Sequence, residues 1–405
     1  MRSKAPFDFT VLAFKRSNAL GLLLYRYRPA ASEGMMTVGD ARLPVKPSEF
    51  QDKLTRLRAA LVEVGADGVV LDAAKNVTWL SGMRTYVSVA TEGSLARLIV
   101  LPDRVLALTS NNEVERLAEE EAPGLPLAWD AYPWYDTSIR DAKTARATAG
   151  LRMVEETRLE PWLLNLRVCL SEPERERARL YGPVVGRVIY DVAVSLVSGM
   201  TENDVAGALS GRLMAEGFQP LVVLVAADHR CGFRPHPLPT ALPVHHRALM
   251  AVSVMVPGGL ILSVTRQAVL NEPTDVEVRE HRALQTIFTT ITSAATAKVR
   301  APELWETVRE AYAVNGFPDG FEHHHQGGLA GYQGRETFLR PDSTWMVPDW
   351  GLLAFNPTGG ATKAEDTVLV EGNRFTPVTL APGTPTEPVQ ARGQTWMRPS
   401  LIIVK

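Results

Sequence analysis

The apolar period switches abruptly along this chain, and that switch limits the fold more than any other sequence feature. Phe50, Leu54, Leu57, Leu61 and Val64 recur at helical spacing until Gly65 stops the helix, and Gly68-Val-Val-Leu71 then reads as a short buried strand. Leu95–Leu101 and Val105–Thr109 read as two more strands and 113–121 as a helix, which completes an α/β unit of about 100 residues. The polar, Ala/Arg-rich stretch 137–152 lacks strong periodicity and reads as a linking region. A second block opens with a long helical segment, 172–198. Thr201-Glu-Asn-Asp204 has capping-box form and starts a helix that Gly217 ends. Strands are then expected at 221–226, 249–256 and 260–264, helices at 275–296 and 303–314, and strands again from Trp345. The fold class is therefore α/β (α+β) in two parts, 43–150 and 151–405, with 1–42 read as an N-terminal extension.

Composition narrows the partners. A formal net charge of −2 over 405 residues gives no footing for nucleic acid or for a membrane surface. The apolar run 19–25 is only seven residues long and flanked by Lys15, Arg16, Arg26 and Arg28, too short to span a bilayer. Two cysteines, Cys169 and Cys231, are too few for a disulfide framework and fit a reducing compartment. A cytoplasmic protein acting on a small molecule is expected.

Four local patterns carry a resemblance. They are Asn76-Val-Thr-Trp-Leu-Ser-Gly82, Gly199-Met-Thr-Glu202, Gly232-Phe-Arg-Pro-His-Pro-Leu-Pro239 and Ala364-Glu-Asp-Thr-Val-Leu-Val370. Each alone is weak. In this order, across about residues 45–375, they resemble the creatinase/prolidase/methionine-aminopeptidase family (peptidase family M24). The resemblance implies a smaller N-terminal creatinase-like domain and a C-terminal pita-bread domain.

It also implies a di-metal centre built from two Asp, one His and two Glu, and here this sequence departs. The second Asp precedes a hydrophobic-Thr-Arg triplet, here Val264-Thr-Arg266, so its position holds Ser263; eleven residues back lies Val252. His325 matches the histidine and Glu365 the last Glu, whereas Asn356 stands at the first Glu. Two ligands of five do not make a bridged metal pair, because an aliphatic side chain offers no lone pair. No metal and no cofactor are expected.

His236 matches the family histidine that contacts substrate. Creatinase hydrolyses a C–N bond without metal, and the resemblance implies that His236, His325 and Glu365 are catalytic here. An imidazole near pKa 6.5 would move the proton, and Glu365 and Glu336 would hold a cationic group. Arg266, Tyr332, Arg335, Glu336 and Asn356 complete the expected substrate-binding set, with Arg335 or Arg266 receiving a carboxylate. The substrate would be a small amino-acid-like or amidino compound, and the step a C–N hydrolysis or a lyase or tailoring reaction, as in secondary metabolism. A non-catalytic binding module and a divergent Xaa-Pro metallopeptidase are the alternatives. His323 and His324 are expected to pack or support, and His245 and His246 to face solvent. A homodimer is expected, with Tyr86, Trp134 and Tyr135 as contact aromatics.

Overall fold

The computed structural model describes residues 45–405 apart from Glu92 and Phe233. The N-terminal extension read at 1–42 thus lies outside the described residues.

The first domain forms as the periods dictate. Helix α1 (Pro47–Glu63) buries Phe50, Leu54, Leu57 and Leu61, and β1 (Gly68–Ala73) follows directly. Helix α2 (Ala74–Ser81) carries the Asn76 motif and ends at Gly82 in the left-handed region. Strands β2 (Gly93–Val100), β3 (Val105–Ser110) and β4 (Ala128–Tyr132) complete the sheet edge, with α3 (Val114–Arg116) and a π turn between β3 and β4. Contrary to the linking region expected at 137–152, Thr137–Thr148 is a helix, α4, capped by the Asp136 carboxylate accepting from Ser138 N. Its residues are at most half-buried, so no apolar stripe betrays it. Strand β5 (Met153–Val154) then pairs in parallel with β1, carrying the first sheet, ordered β4-β3-β2-β1-β5, past residue 150.

Helix α5 (Glu156–Val168) leads into the second domain. Helices α6 (Glu172–Val194) and α7 (Glu202–Ala215) precede the hairpin-built strands β6 (Gln219–Ala227), β7 (Arg247–Met255) and β8 (Ile261–Leu270). The Thr201/Asp204 capping box forms as the sequence indicates. Helices α8 (Asp275–Ala294) and α9 (Ala301–Val314) cover the second half: β9 (Gly327–Ala330), β10 (Thr337–Phe338), β11 (Trp350–Phe355), the short pair β12 (Thr358–Gly359) and β13 (Thr362–Lys363), then β14 (Asp366–Glu371) and β15 (Arg374–Pro377). A last hairpin, β16 (Thr386–Ala391) and β17 (Gln394–Pro399), precedes β18 (Ile402–Val404).

Among the described residues this domain holds two main sheets, β18-β8-β7-β6 and β10-β9-β11-β14-β15. They meet where Thr265 of β8 bridges Glu365, just before β14. Leu284, Phe288, Ile291, Leu304, Tyr312, Leu353 and Phe355 form the core between α8, α9 and the second sheet. No helix among the described residues is long and apolar enough to cross a membrane.

Candidate active site at the seam of two sheets

His236 sits on a loop with little freedom. Pro235 and Pro237 flank it and restrict the backbone. Val225 N donates to Pro237 O at 3.1 Å, and Leu238 N to His236 O at 3.1 Å. Glu202, from the Gly-x-Thr-Glu pattern, is buried beneath the loop. It accepts from Ala227 N at 2.8 Å, from Thr240 N at 2.8 Å, from the Thr240 hydroxyl at 2.6 Å, and from Arg230. This motif residue positions the loop and touches no reacting group. Glu202→Ala strands those donors, so it is expected to cost at least roughly 1–3 kcal/mol. Limited proteolysis should then open the loop first; unchanged melting and cleavage would refute this role.

The His run enters β9 from the other side. Gly327 has φ +90°, and a Cβ there would lie 1.9 Å from Ala354 O, so only glycine lets the chain turn into the sheet so closely. That turn aims His324 and His325 inward and leaves His323 exposed. The Nε2 atoms of His324 and His236 are 3.1 Å apart. His324 Nδ1 meets the Thr358 hydroxyl at 3.1 Å, and that hydroxyl donates to Asn356 O at 3.1 Å. Its hydrogen being spent there, Thr358 Oγ accepts from His324 Nδ1–H, which leaves the His324 Nε2 lone pair for His236. The His325 ring lies 4.3 Å from His324 and 5.6 Å from His236 between centroids, against Phe338 at 4.8 Å. Expected only as a supporting residue, His324 is thus the direct partner of His236; a run of three histidines does not reveal which ring turns inward.

Burial, reinforced by the Lys363 charge, pushes His324 down to about 3. Burial and Arg335 push His325 down to about 4. His236, more exposed, moves down for the same reasons, burial first and then Lys363.

Next to the imidazoles lies a charged core. Glu365 Oε1 accepts from Arg335 Nη2 at 2.9 Å, and its Oε2 from the Thr265 hydroxyl at 2.6 Å and from Lys363 Nζ at 3.1 Å. Burial alone would raise this carboxyl, but Lys363 and Arg335 outweigh it and hold it at about 2. Arg335 Nη1 also donates to Ser263 Oγ at 3.2 Å, and Ser263 Oγ lies 2.8 Å from Ser253 Oγ.

Several sequence expectations change here. The residue opposite Ser263 is Ser253, whereas Val252 pairs with Val264, so an eleven-residue step back overshoots the partner by one. Glu365 has both oxygens taken by internal partners and does not present a free carboxylate to a cation. Arg266 is buried away from the imidazoles: it donates to Asp366 at 2.8 Å and to Thr379 O at 3.0 Å. Tyr332 is buried between the domains, donating to Glu174 at 2.5 Å and accepting from Lys53 at 3.0 Å. Glu336 accepts from Arg167 Nε at 2.9 Å and from Tyr332 N at 2.8 Å, so it too is structural. Asn356 is buried, with its side-chain oxygen lacking a hydrogen-bond partner among the described residues. Of the two histidines expected in solvent, His245 is exposed, but His246 meets the Glu277 carboxylate at 3.0 Å.

A di-metal centre does not fit this donor set. Where bridging carboxylates would stand there are two hydroxyls bonded to each other, one of which, Ser263 Oγ, accepts from a guanidinium, and the surviving carboxylate is already neutralised by two fixed cations.

The comparisons agree with this architecture. Residues 53–159 match the family profile described as Creatinase/Prolidase N-terminal domain. No curated protein matches by sequence. Among solved structures, the Xaa-Pro dipeptidase from Bacillus anthracis aligns with TM-score 0.66 and 16% identity, over 88% of this chain and 100% of its own. The dipeptidase PepE from Mycobacterium ulcerans aligns with TM-score 0.67 and 17% identity, over 89% and 99%. The N-terminal domain of FACT complex subunit SPT16 from Cicer arietinum aligns with TM-score 0.62 and 11% identity, over 82% and 96%. The described chain therefore has the pita-bread fold of the prolidases. Its N-terminal part, residues 53–159, matches the creatinase/prolidase N-terminal domain.

Proposed function

We propose that this chain is a metal-independent, creatinase-like enzyme that transforms a small amino-acid-like molecule by acid–base catalysis at His236. The observation that carries this reading is the His236–His324 contact. His324 is neutral, is fixed through Thr358, and offers a lone pair that orients the His236 ring. His236 can then take a proton and return it to a leaving group, while His324, far below neutral pKa, stays out of the exchange.

The inner wall sets the polarity of the substrate. Arg335 and Lys363 against Glu365 leave one net positive charge, and Arg335 Nε is buried without a partner among the described residues. An anionic end such as a carboxylate suits that wall better than the cation first assigned to Glu365. Glu365 acts by holding Arg335 and Lys363 in place. Screening small N-substituted amino acids with wild type and His236→Ala tests the reading; turnover that is equal in both would remove it. Lack of any turnover would favour a binding module, a reading supported by the likeness to a domain of a complex subunit.

A homodimer belongs to the same proposal. Trp134 and Tyr135 are 65% and 74% exposed and stack edge to face at 5.8 Å, a rigid apolar pair suited to a subunit contact. Light scattering is expected to give a dimer at micromolar concentration; a monomer would count against it.

A further inference from the structure

We propose that His236, His324 and His325 form a three-nitrogen site for a single borderline divalent ion of the zinc or copper class. The site shares His325 with the oxygen-rich metal pair that the resemblance implies, but takes its other two donors from His236 and His324, which lie outside that ligand set. One ring nitrogen from each of the three lies within 4.8 Å of the others. Two of the rings come from consecutive residues at the entry to β9 and the third from the facing loop, so the set is convergent and does not lie along one surface.

The outer partner of His324 has the form a ligating histidine needs, whereas His325 Nδ1 accepts from Gly327 N at 3.3 Å, so His325 must give up that bond or change tautomer to ligate. His324 Nδ1 is engaged by Thr358 Oγ, which leaves Nε2 pointing at His236. Thr358 is in turn anchored on Asn356 O, so the ring cannot easily swing away. Ligation by His236 requires its proton to move from Nε2 to Nδ1, a tautomer change that exposure to water permits.

Ion class follows from the donors. Three imidazoles favour zinc or copper over magnesium, calcium or manganese, which take oxygen. Arg335 and Lys363 nearby add like charge, so they select against ions bound mainly by electrostatics and leave those that bond well to nitrogen. This inference rests on the acid–base reading in one respect only: an ion at His236 Nε2 leaves the proton on Nδ1, the atom whose lone pair the reaction needs, so the loaded protein would be the inactive form.

Binding is measured without substrate, which keeps the two readings apart. Chelator-treated protein is titrated with Zn(II) by calorimetry and with Co(II) by visible absorbance. One ion per chain is expected, with a Co(II) d–d spectrum. His236→Ala and His324→Gln, the latter keeping the buried volume, should abolish the spectrum, and Thr358→Val should weaken binding by roughly 10–100-fold. His323→Ala, which changes the exposed member of the run, should bind as wild type does. The proposal is overturned by lack of Zn(II) binding at micromolar concentration. It is equally overturned by binding that survives in His324→Gln or disappears in His323→Ala, or by two ions per chain lost together in Glu365→Gln.

Discussion

Turnover falls roughly 10²–10⁴-fold in His236→Ala, while the melting temperature stays within experimental error of wild type. The ring is exposed on its outer side and fills no core volume, so its loss leaves neither a cavity nor a stranded buried charge. Its backbone is fixed independently, by the flanking prolines and by Glu202 beneath the loop. Catalysis and folding therefore separate at this position. His324→Gln should behave differently: it loses the oriented lone pair and the neutral ring behind His236, so turnover falls, and some stability goes with the buried Thr358 bond. Activity per folded molecule across both variants is the deciding measurement. A purely structural His236 would lower the folded fraction and leave the specific activity of the remainder intact.

Asp366→Ala is expected to be the most damaging change to stability. This fully buried carboxylate accepts from Arg266 at 2.8 Å, Arg398 at 2.6 Å and the Thr379 hydroxyl at 2.7 Å. Removing it strands two desolvated guanidinium groups, a loss of about 3–5 kcal/mol for a broken buried pair. Burial opposes the charged form, but Arg266 and Arg398 outweigh it and depress the carboxyl below its ordinary 3.8. A depressed folded-state pKa means the contribution is fully present above about pH 4 and fades as pH falls through the lower folded value. Denaturant melts from pH 7 to pH 2 should show wild type losing stability in that acid window. Asp366→Ala, already destabilised at pH 7, should show a shallower acid slope, and equal slopes would refute the assignment.

How far the sequence spoke depends on the kind of residue. Period and capping place most elements, because burial of one face leaves a spacing that can be counted: Phe50 to Val64 is a helix for that reason. Helix α4 escapes, since it is half-exposed and carries no stripe. The four motifs identify the fold but mislead about roles. Asn76 donates to Glu156 at 2.7 Å and accepts from Arg167, Glu202 pins a loop, and Asp366 ties β8 to β17, so each serves architecture. What no linear reading reaches is charge compensation at the seam. Arg335 and Lys363 meet Glu365 only because a bridge joins two sheets 100 residues apart in sequence at Thr265. Ser253 was missed for a similar reason: register, and not spacing, decides which side chain faces Ser263.

The contact between the two domains has a mechanical meaning. Glu49 and Lys53 of α1, Glu174 and Arg177 of α6, and Tyr332 interlock through Lys53 to Glu49 at 2.9 Å, Lys53 to Glu174 at 3.1 Å and Arg177 to Glu49 at 2.8 Å. Two acids and two bases cancel, and all are nearly shut off from water. Prising the lobes apart would separate these ions before water could replace them, at a cost of several kcal/mol. Opening of one domain against the other is therefore costly at this contact.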